Sequence, residues 1–108
     1  MCIGSDFKRN FDTYIKMYEK ARTLEKTDVD QAIEIYKEIL RITKPEGTSY
    51  YERPAILLEK QKRFDEAIEV CNIAFENVKI FNKQTRECIL LEMGKRRERL
   101  LKKSDNKA

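Results

Sequence analysis

Residues 65–75 read DEAIEVCNIAF and residues 30–40 read DQAIEIYKEIL, so the two stretches align without a gap. Each begins with an acid, any residue, Ala, Ile and Glu, and the later apolar positions also match. The apolar residues recur every three or four positions, which predicts an amphipathic helix in each stretch. Because Ala32 and Ala67 are 35 residues apart, the chain is predicted to contain a repeated helix–turn–helix unit.

Five helical segments are predicted, and no segment alternates with the period of a strand. The third segment contains Pro54, which leaves two starts open. The helix begins either at Ser49, which has the spacing of a capping box with Glu52, or at Arg53, where a proline suits the first turn. The fold class is therefore predicted to be all-α. The five segments cover about residues 6–26, 29–42, 49–62, 64–79 and 82–103.

The second unit carries a resemblance to a known family. Residues 62–67 read KRFDEA, Ala55 stands twelve positions before Ala67, and Ala74 follows at a second small position. On these residues the chain resembles the tetratricopeptide repeat (TPR) family, and residues 50–71 also resemble a stretch of small bacterial proteins of this repeat type. The resemblance implies antiparallel helix pairs stacked as a short TPR-like α-solenoid, with a C-terminal capping helix.

The resemblance also implies how the chain is divided. The length of the chain predicts a single domain over residues 1–103, and the fraying of a chain end predicts a disordered tail at residues 104–108. Within the domain the resemblance predicts a first repeat over about residues 13–45, a second over about 48–80 and a capping helix over about 82–103. Two repeats are fewer than an array usually needs, so we expect either that the N-terminal stripe folds back on the array or that a homodimer buries the open end, and we favour the homodimer. The surfaces predicted for the homodimer are the stripe of Phe7, Phe11 and Tyr14, or one face of the fifth helix.

The composition predicts a protein without a catalytic role. The chain has no histidine, which removes the usual general base and the commonest metal ligand. Its three cysteines form no C-x-x-C pair and its three glycines are isolated, so neither a zinc site nor a phosphate-binding loop is predicted. We therefore expect no cofactor and no enzyme activity. Cys71 and Cys88 fall within apolar stripes and are predicted to pack in the core.

The sequence also bears on the compartment. It contains no apolar run long enough to cross a membrane. Its first residues, MCIGSDFKRNF, lack the apolar centre of a secretory signal. An odd number of cysteines does not suit a disulfide framework, which favours a reducing compartment. We therefore expect a cytoplasmic protein that does not contact a membrane.

The resemblance implies that the chain binds another protein. In the family, residues of the first helix of each pair line a concave groove, and such a groove can hold an extended or helical peptide. The partner is therefore expected to be a protein or a peptide, and a self-assembling scaffold is an alternative. The residues that the resemblance assigns to the groove are Tyr18, Arg22, Ser49, Glu52, Ile56, Glu59 and Lys60.

The basic end of the chain predicts a weaker alternative, which is nucleic-acid binding through the C-terminal helix. Residues 95–108 carry seven basic and two acidic side chains, whereas the rest of the chain is nearly neutral. Basic residues also stabilise the C-terminus of a helix, and no aromatic residue is interleaved here to stack on bases. The residues that can contact nucleic-acid phosphates are Lys95, Arg96, Arg97 and Arg99.

Overall fold

The computed structural model describes the backbone of residues 2–107 and the side chains of residues 13–104. This part of the chain contains five α-helices, one short 3₁₀-helix and no strand. The prediction of an all-α fold is therefore confirmed. The helices are α1 (Cys2–Leu24), α2 (Val29–Ile42), α3 (Ser49–Lys60), α4 (Phe64–Asn77) and α5 (Lys83–Lys107), with the 3₁₀-helix at Val78–Ile80.

The chain forms two compact units, residues 1–44 and residues 45–108. In the first unit α1 packs against α2, and in the second unit α4 packs against both α3 and α5. Helices that follow each other within a unit are thus neighbours in space, as in a helical hairpin. In the described part of the chain, no helix is both long enough and apolar enough to span a membrane. The single domain predicted over residues 1–103 stays a prediction.

The repeated sequence forms a repeated helix. Helices α2 and α4 each contain 14 residues, and they begin at Val29 and Phe64, at the same spacing as the sequence repeat. The paired alanines, Ala32 and Ala67, have no exposed surface, so each helix can approach its neighbour closely. The internal repetition is therefore a feature of the structure as well as of the sequence. Other equivalent pairs buried in both helices are Tyr36 with Cys71 and Ile39 with Ala74.

Helix α3 begins at Ser49, so the earlier of the two predicted starts is confirmed. The predicted capping box is wrong, however, because Thr48 precedes the helix as its cap, and the Thr48 side chain makes no capping hydrogen bond. Pro54 lies inside the helix and lacks the N–H that would donate to the carbonyl of Tyr50. The proline is fully buried, so its ring contributes apolar packing that acts against the cost of the missing hydrogen bond.

A tight turn joins α3 to α4. The N–H of Arg63 donates to the carbonyl of Leu58 at 2.9 Å, and the N–H of Lys62 donates to the carbonyl of Glu59 at 2.9 Å. These two hydrogen bonds form a Schellman motif, which places a left-handed residue just after the helix. That residue is Lys62, with φ of 61°. Glycine adopts this conformation without the steric cost that a side chain brings.

Buried hydrogen bonds tie the first residue of the second unit to α4. The Tyr51 hydroxyl donates to the carbonyl of Pro45 at 2.6 Å and accepts from the side-chain amide of Asn77 at 3.1 Å. Pro45 and Tyr51 are fully buried, and Asn77 is nearly so. Because the hydroxyl both donates and accepts, it crosses the core without the cost of an unsatisfied polar group.

Helix α5 has an identifiable start and continues past its predicted end. Asn82 precedes it, and its side chain accepts from the N–H of Thr85 at 2.9 Å, as an N-cap does. The helix was predicted to end at Lys103 but continues to Lys107, because no glycine or proline follows Gly94. The predicted disordered tail is thus helical as far as Lys107.

The buried stripe of α5 differs from the predicted one. Ile89 and Met93 have no exposed surface. Cys71 of α4 is buried as predicted, but the prediction of a core position for Cys88 is wrong, because Cys88 is exposed. Successive helix residues point about 100° apart, so a helix that buries Ile89 and Met93 turns Cys88 away from the core, and Leu91 is 57% exposed.

Replacing Lys62 with glycine is expected to raise the free energy of unfolding by about 1 kcal/mol, because it removes the steric cost of the left-handed backbone. Urea unfolding followed by circular dichroism measures the change. The matched control is Lys60→Gly in the last turn of α3, which should lower the free energy of unfolding by about 0.5–1 kcal/mol. Equal destabilisation by both substitutions would contradict the left-handed position of Lys62.

Candidate protein-binding face

One side of α3 combines two carboxylates with an aliphatic side chain. Glu52, Ile56 and Glu59 are spaced by four and three residues, so they lie on the same side of the helix. Ile56 is half-buried, and the side chains of Glu52 and Glu59 are 34% and 14% exposed. All three belong to the groove that the tetratricopeptide resemblance assigns. We call these three residues the α3 face.

Helix α5 lies along the α3 face through its basic residues. The Arg96 guanidinium is 3.3 Å from a Glu52 oxygen and 3.5 Å from a Glu59 oxygen. One and two turns later in α5, Arg99 lies 3.4 Å from Glu59 and Lys103 also contacts Glu59. Because the pairing advances along both helices together, α3 and α5 run in the same direction. The structure therefore brings two predicted groove residues together with two residues predicted for nucleic-acid contact.

Glu59 is the centre of these ion pairs. Burial by itself would raise the pKa of its carboxyl, but hydrogen bonds from Lys103 and Arg99, together with their charges, hold the pKa of Glu59 below its ordinary value. The carboxylate is therefore charged at neutral pH. Three cations already surround it, so Glu59 has little capacity for a further ligand while α5 is in place.

Arg97 lies beside Arg96 but contacts α4 instead of α3. Its guanidinium carbon is 5.6 Å from the centre of the Phe75 ring, which is a cation–π distance. Burial raises the pKa of the nearby Cys71 thiol to about 11, although the charges of Arg96 and Arg97 act in the opposite direction. Cys71 is therefore protonated at neutral pH and is a poor nucleophile.

Two of the four residues predicted for nucleic-acid contact, Arg96 and Arg97, point their side chains toward other helices of the second unit. The Arg96 side chain is 15% exposed and pairs with carboxylates, and Arg97 is half-buried against Phe75. Lys95 is exposed, and Arg99 is 51% exposed although it pairs with Glu59. The α3 face thus neutralises part of the basic end, and fewer of its charges are available to phosphates.

The first unit presents its predicted residues on α1. The Tyr18 ring packs edge-on against the ring of Tyr36, with the ring centres 5.8 Å apart. Arg22 lies 3.9 Å from the carboxylate of Glu25, which also accepts a hydrogen bond from the buried Tyr36 hydroxyl. Contacts with α2 and with the end of α1 therefore orient Tyr18 and Arg22.

The other predicted residues are not joined to these contacts. Ser49 is half-buried at the start of α3 and Lys60 is exposed at its end, and neither belongs to the ion pairs with α5. Of the stripe predicted for a homodimer, Tyr14 is half-buried, whereas Phe7 and Phe11 lie outside the residues whose side chains are described. The groove that combines α1 with α3 and the homodimer surfaces stay predictions.

Sequence reasoning misses the inward position of Arg96 and Arg97. The signal for it lies in the spacing of the buried residues Ile89, Met93 and Leu100, because it leaves a gap of six residues between Met93 and Leu100. Arg96 and Arg97 fall in that gap. If only apolar residues are considered as buried, both arginines are predicted to lie on the solvent-exposed side of the helix.

A shallow cavity of about 360 Å³ lies beside the turn between α3 and α4. At its edge the Ser104 hydroxyl of α5 donates to Asp65 at 3.3 Å, and the lining mixes charges of both signs. Among the residues whose side chains are described, no three metal-ligating side chains form a group. The α3 face is therefore the arrangement with the most definite chemistry, since its carboxylates already hold a basic helix.

Replacing Glu59 with glutamine is expected to lower the free energy of unfolding at pH 7 by about 1–2 kcal/mol, because the amide keeps the shape but loses the attraction to three cations. The pKa of Glu59 is lowered by folding, so its contribution is complete above the unfolded value of about 4.3 and is lost as pH falls through the lower folded value. The difference between wild type and variant should therefore shrink as pH falls below about 4.3, and the two should converge below the folded value.

Urea unfolding at several pH values measures this convergence. The matched control is Glu69→Gln on α4, an exposed glutamate outside the ion pairs between α3 and α5, which should change stability by less than about 0.5 kcal/mol. A loss for Glu59→Gln that is as large at about pH 3 as at pH 7 would mean that the carboxylate charge does not hold α5.

Comparison with known proteins identifies no relative from which a function can be transferred. No protein-family model, no curated protein and no solved structure matches this chain. The tetratricopeptide resemblance therefore rests on the repeated helices and their alanines. Since a fold by itself does not assign a function, the function has to be inferred from the side chains that the helices present.

Proposed function

We propose that this chain is a protein-interaction module of the tetratricopeptide type, which binds a segment of another protein on the first helix of each pair. The observation that carries the proposal is the match between α2 and α4. Both helices have 14 residues, and they share three buried positions, which are Ala32 with Ala67, Tyr36 with Cys71 and Ile39 with Ala74. In the proposal, the repeated second helices, α2 and α4, pack against and hold the first helices. The first helices, α1 and α3, then present the side chains that differ between the repeats and bind the partner.

The proposed binding residues combine apolar and charged groups. On α3 the half-buried Ile56 lies between Glu52 and Glu59, and on α1 Tyr18 lies one turn from Arg22. An aliphatic or aromatic centre with charges at its edge is the usual chemistry of a protein-binding surface. The proposed role is binding alone, without catalysis. Nucleic-acid binding has less support, because Arg96 and Arg97 are engaged with side chains of α3 and α4.

The proposal predicts that Ile56→Asp abolishes binding, because a third carboxylate replaces the apolar centre between two glutamates. A random peptide library displayed on phage is selected against the immobilised full chain, and the affinity of the enriched peptides is measured for wild type and variant. We expect a loss of at least about tenfold, with unchanged helical content by circular dichroism.

The matched control for this experiment is Asn72→Asp, which adds the same carboxylate at an exposed position of α4. It should bind the selected peptides as wild type does. Equal binding by Ile56→Asp and wild type would show that the α3 face is not the binding site. A selection that enriches no peptide would count against the proposed function itself.

Self-assembly is a second candidate, and the outer side of α5 favours it. Leu91 is 57% exposed, and Leu90 and Leu101 are each 39% exposed. A second copy of the chain can cover these leucines, which are otherwise in contact with water. Leu91→Glu is then expected to convert an oligomer into a monomer in sedimentation at about 0.1 mM, whereas Lys79→Glu, at an exposed position after α4, should leave the mass unchanged. A monomeric wild type at that concentration would exclude this candidate.

A further inference from the structure

The buried stripe of α5 changes character at Gly94. Before Gly94, the side chains of Ile89 and Met93 have no exposed surface and hold the helix by apolar packing. After Gly94, charges take over most of this role. The stripe in this second half consists of Arg96, Arg97 and the fully buried Leu100. The first half of α5 is therefore held by apolar packing, whereas the second half is held by ion pairs and a cation–π contact beside one buried leucine.

Gly94 also lowers the stability of the helix at the boundary between the two halves. Nothing lies within 4 Å of the position that a Cβ at Gly94 would take, so packing does not require a glycine there. A glycine inside a helix makes that helix less stable than an alanine would. Residues 95–104 can therefore leave the core at a lower cost than the whole helix, while Ile89 and Met93 stay packed.

The second half of α5 matches the α3 face in spacing. Glu52 and Glu59 are seven residues apart, and so are Arg96 and Lys103. Because α3 and α5 run in the same direction, Arg96 meets Glu52 and Lys103 meets Glu59. Ile56 lies between the two glutamates in the sequence, as Leu100 lies between the two basic residues. The face therefore fits a helix that carries cations seven residues apart and an aliphatic side chain between them.

The fit of α5 on this face is incomplete. The Nε atoms of Arg96 and Arg97 are buried, and neither has a hydrogen-bond acceptor in the part of the chain that the structure describes. A buried donor without an acceptor is unfavourable. A basic helix that makes the same ion pairs without burying such donors would therefore compete well with residues 95–104.

We propose that the α3 face is a receptor for a basic amphipathic helix of a partner protein, and that residues 95–104 occupy it in cis until such a helix displaces them. This inference rests on the proposed function, because it names the class of partner for the same face. The recognised pattern starts with a cation. A second cation follows three residues after the first, an aliphatic residue four residues after it, and a third cation seven residues after it. In α5 these are Arg96, Arg99, Leu100 and Lys103.

The test uses a fluorescent synthetic peptide, KRRERLLKKSDNK, which has the sequence of residues 95–107. Its affinity for the full chain is measured by fluorescence anisotropy. The triple variant Arg96→Gln/Arg99→Gln/Lys103→Gln removes the competing cations and keeps the α3 face, so it should bind the peptide at least about tenfold more tightly than wild type. Adding Glu59→Gln to the triple variant should remove that gain, and the gain should also shrink at high salt.

The matched control is Lys95→Gln/Lys102→Gln, which removes two exposed cations of the same helix that are outside its ion pairs with α3. It should bind the peptide as wild type does. Equal affinity of wild type and triple variant, or binding by neither, would overturn the inference. A triple variant that dimerises and excludes the peptide would also overturn it, because a second copy would then be the occupant.

Thiol labelling tests the release of residues 95–104 without neutralising the arginines. In a Cys2→Ser/Cys88→Ser chain the remaining thiol is Cys71, which is fully buried and close enough to Arg96 and Arg97 to feel their charges. Raising NaCl from about 0.05 M to about 1 M should speed labelling of Cys71 at least about fivefold, because salt weakens the ion pairs. Gly94→Ala should slow the labelling at both salt concentrations.

Labelling of Cys71 at the rate of global unfolding under both conditions would overturn the release of residues 95–104. The outcomes also separate this inference from the proposed function. If the displayed library yields peptides that need Ile56 but carry no basic pattern, the interaction module stands and the basic-helix receptor fails. If peptides are selected with the spacing of Arg96, Arg99 and Lys103, both stand.

Discussion

The complete burial of alanines on helices that pack together is the constraint on which the rest of the structure depends. Ala21 and Ala32 in the first unit, and Ala55 and Ala67 in the second, have no exposed surface. Helices with small residues at their crossing can pack at the short end of the usual interaxial range, where larger side chains would separate them. The hydrogen bond from Asn77 to Tyr51 depends on the spacing of α3 and α4, because it joins atoms of these two helices at 3.1 Å.

Charge determines how α5 lies on the second unit. Apolar packing by Ile89, Met93 and Leu100 attaches the helix, but such packing does not by itself select one register, since it is not directional. The ion pairs of Arg96 with Glu52 and Glu59 favour one register of α5 over the others. Partly buried ion pairs add little net stability after desolvation, yet they make alternative registers costly, because a shifted helix would leave charges buried without partners.

The helices and the buried alanines could be predicted from the sequence because both depend on short-range spacing. The bounds of α2 and the start of α4 follow from the repeat, and the position of Ala67 follows from its equivalence to Ala32. The rotation of α5 could not be predicted in the same way, which is why Cys88 was placed inside and Arg96 outside. A basic residue becomes buried only where another helix supplies carboxylates, and Glu52 and Arg96 are 44 residues apart in the chain.

The hydrogen bonds from Asn77 through Tyr51 to the carbonyl of Pro45 have a consequence for how the second unit can be combined with other sequences. A recombination or gene fusion that joins a new segment before Pro45 keeps the acceptor of the Tyr51 hydroxyl. After a junction placed beyond Pro45, the new segment supplies the carbonyl, and the Tyr51 hydroxyl keeps an acceptor only where the new backbone follows the same path. The upstream edge of the second unit is therefore set by the path of the backbone at one peptide carbonyl, whichever residue supplies it.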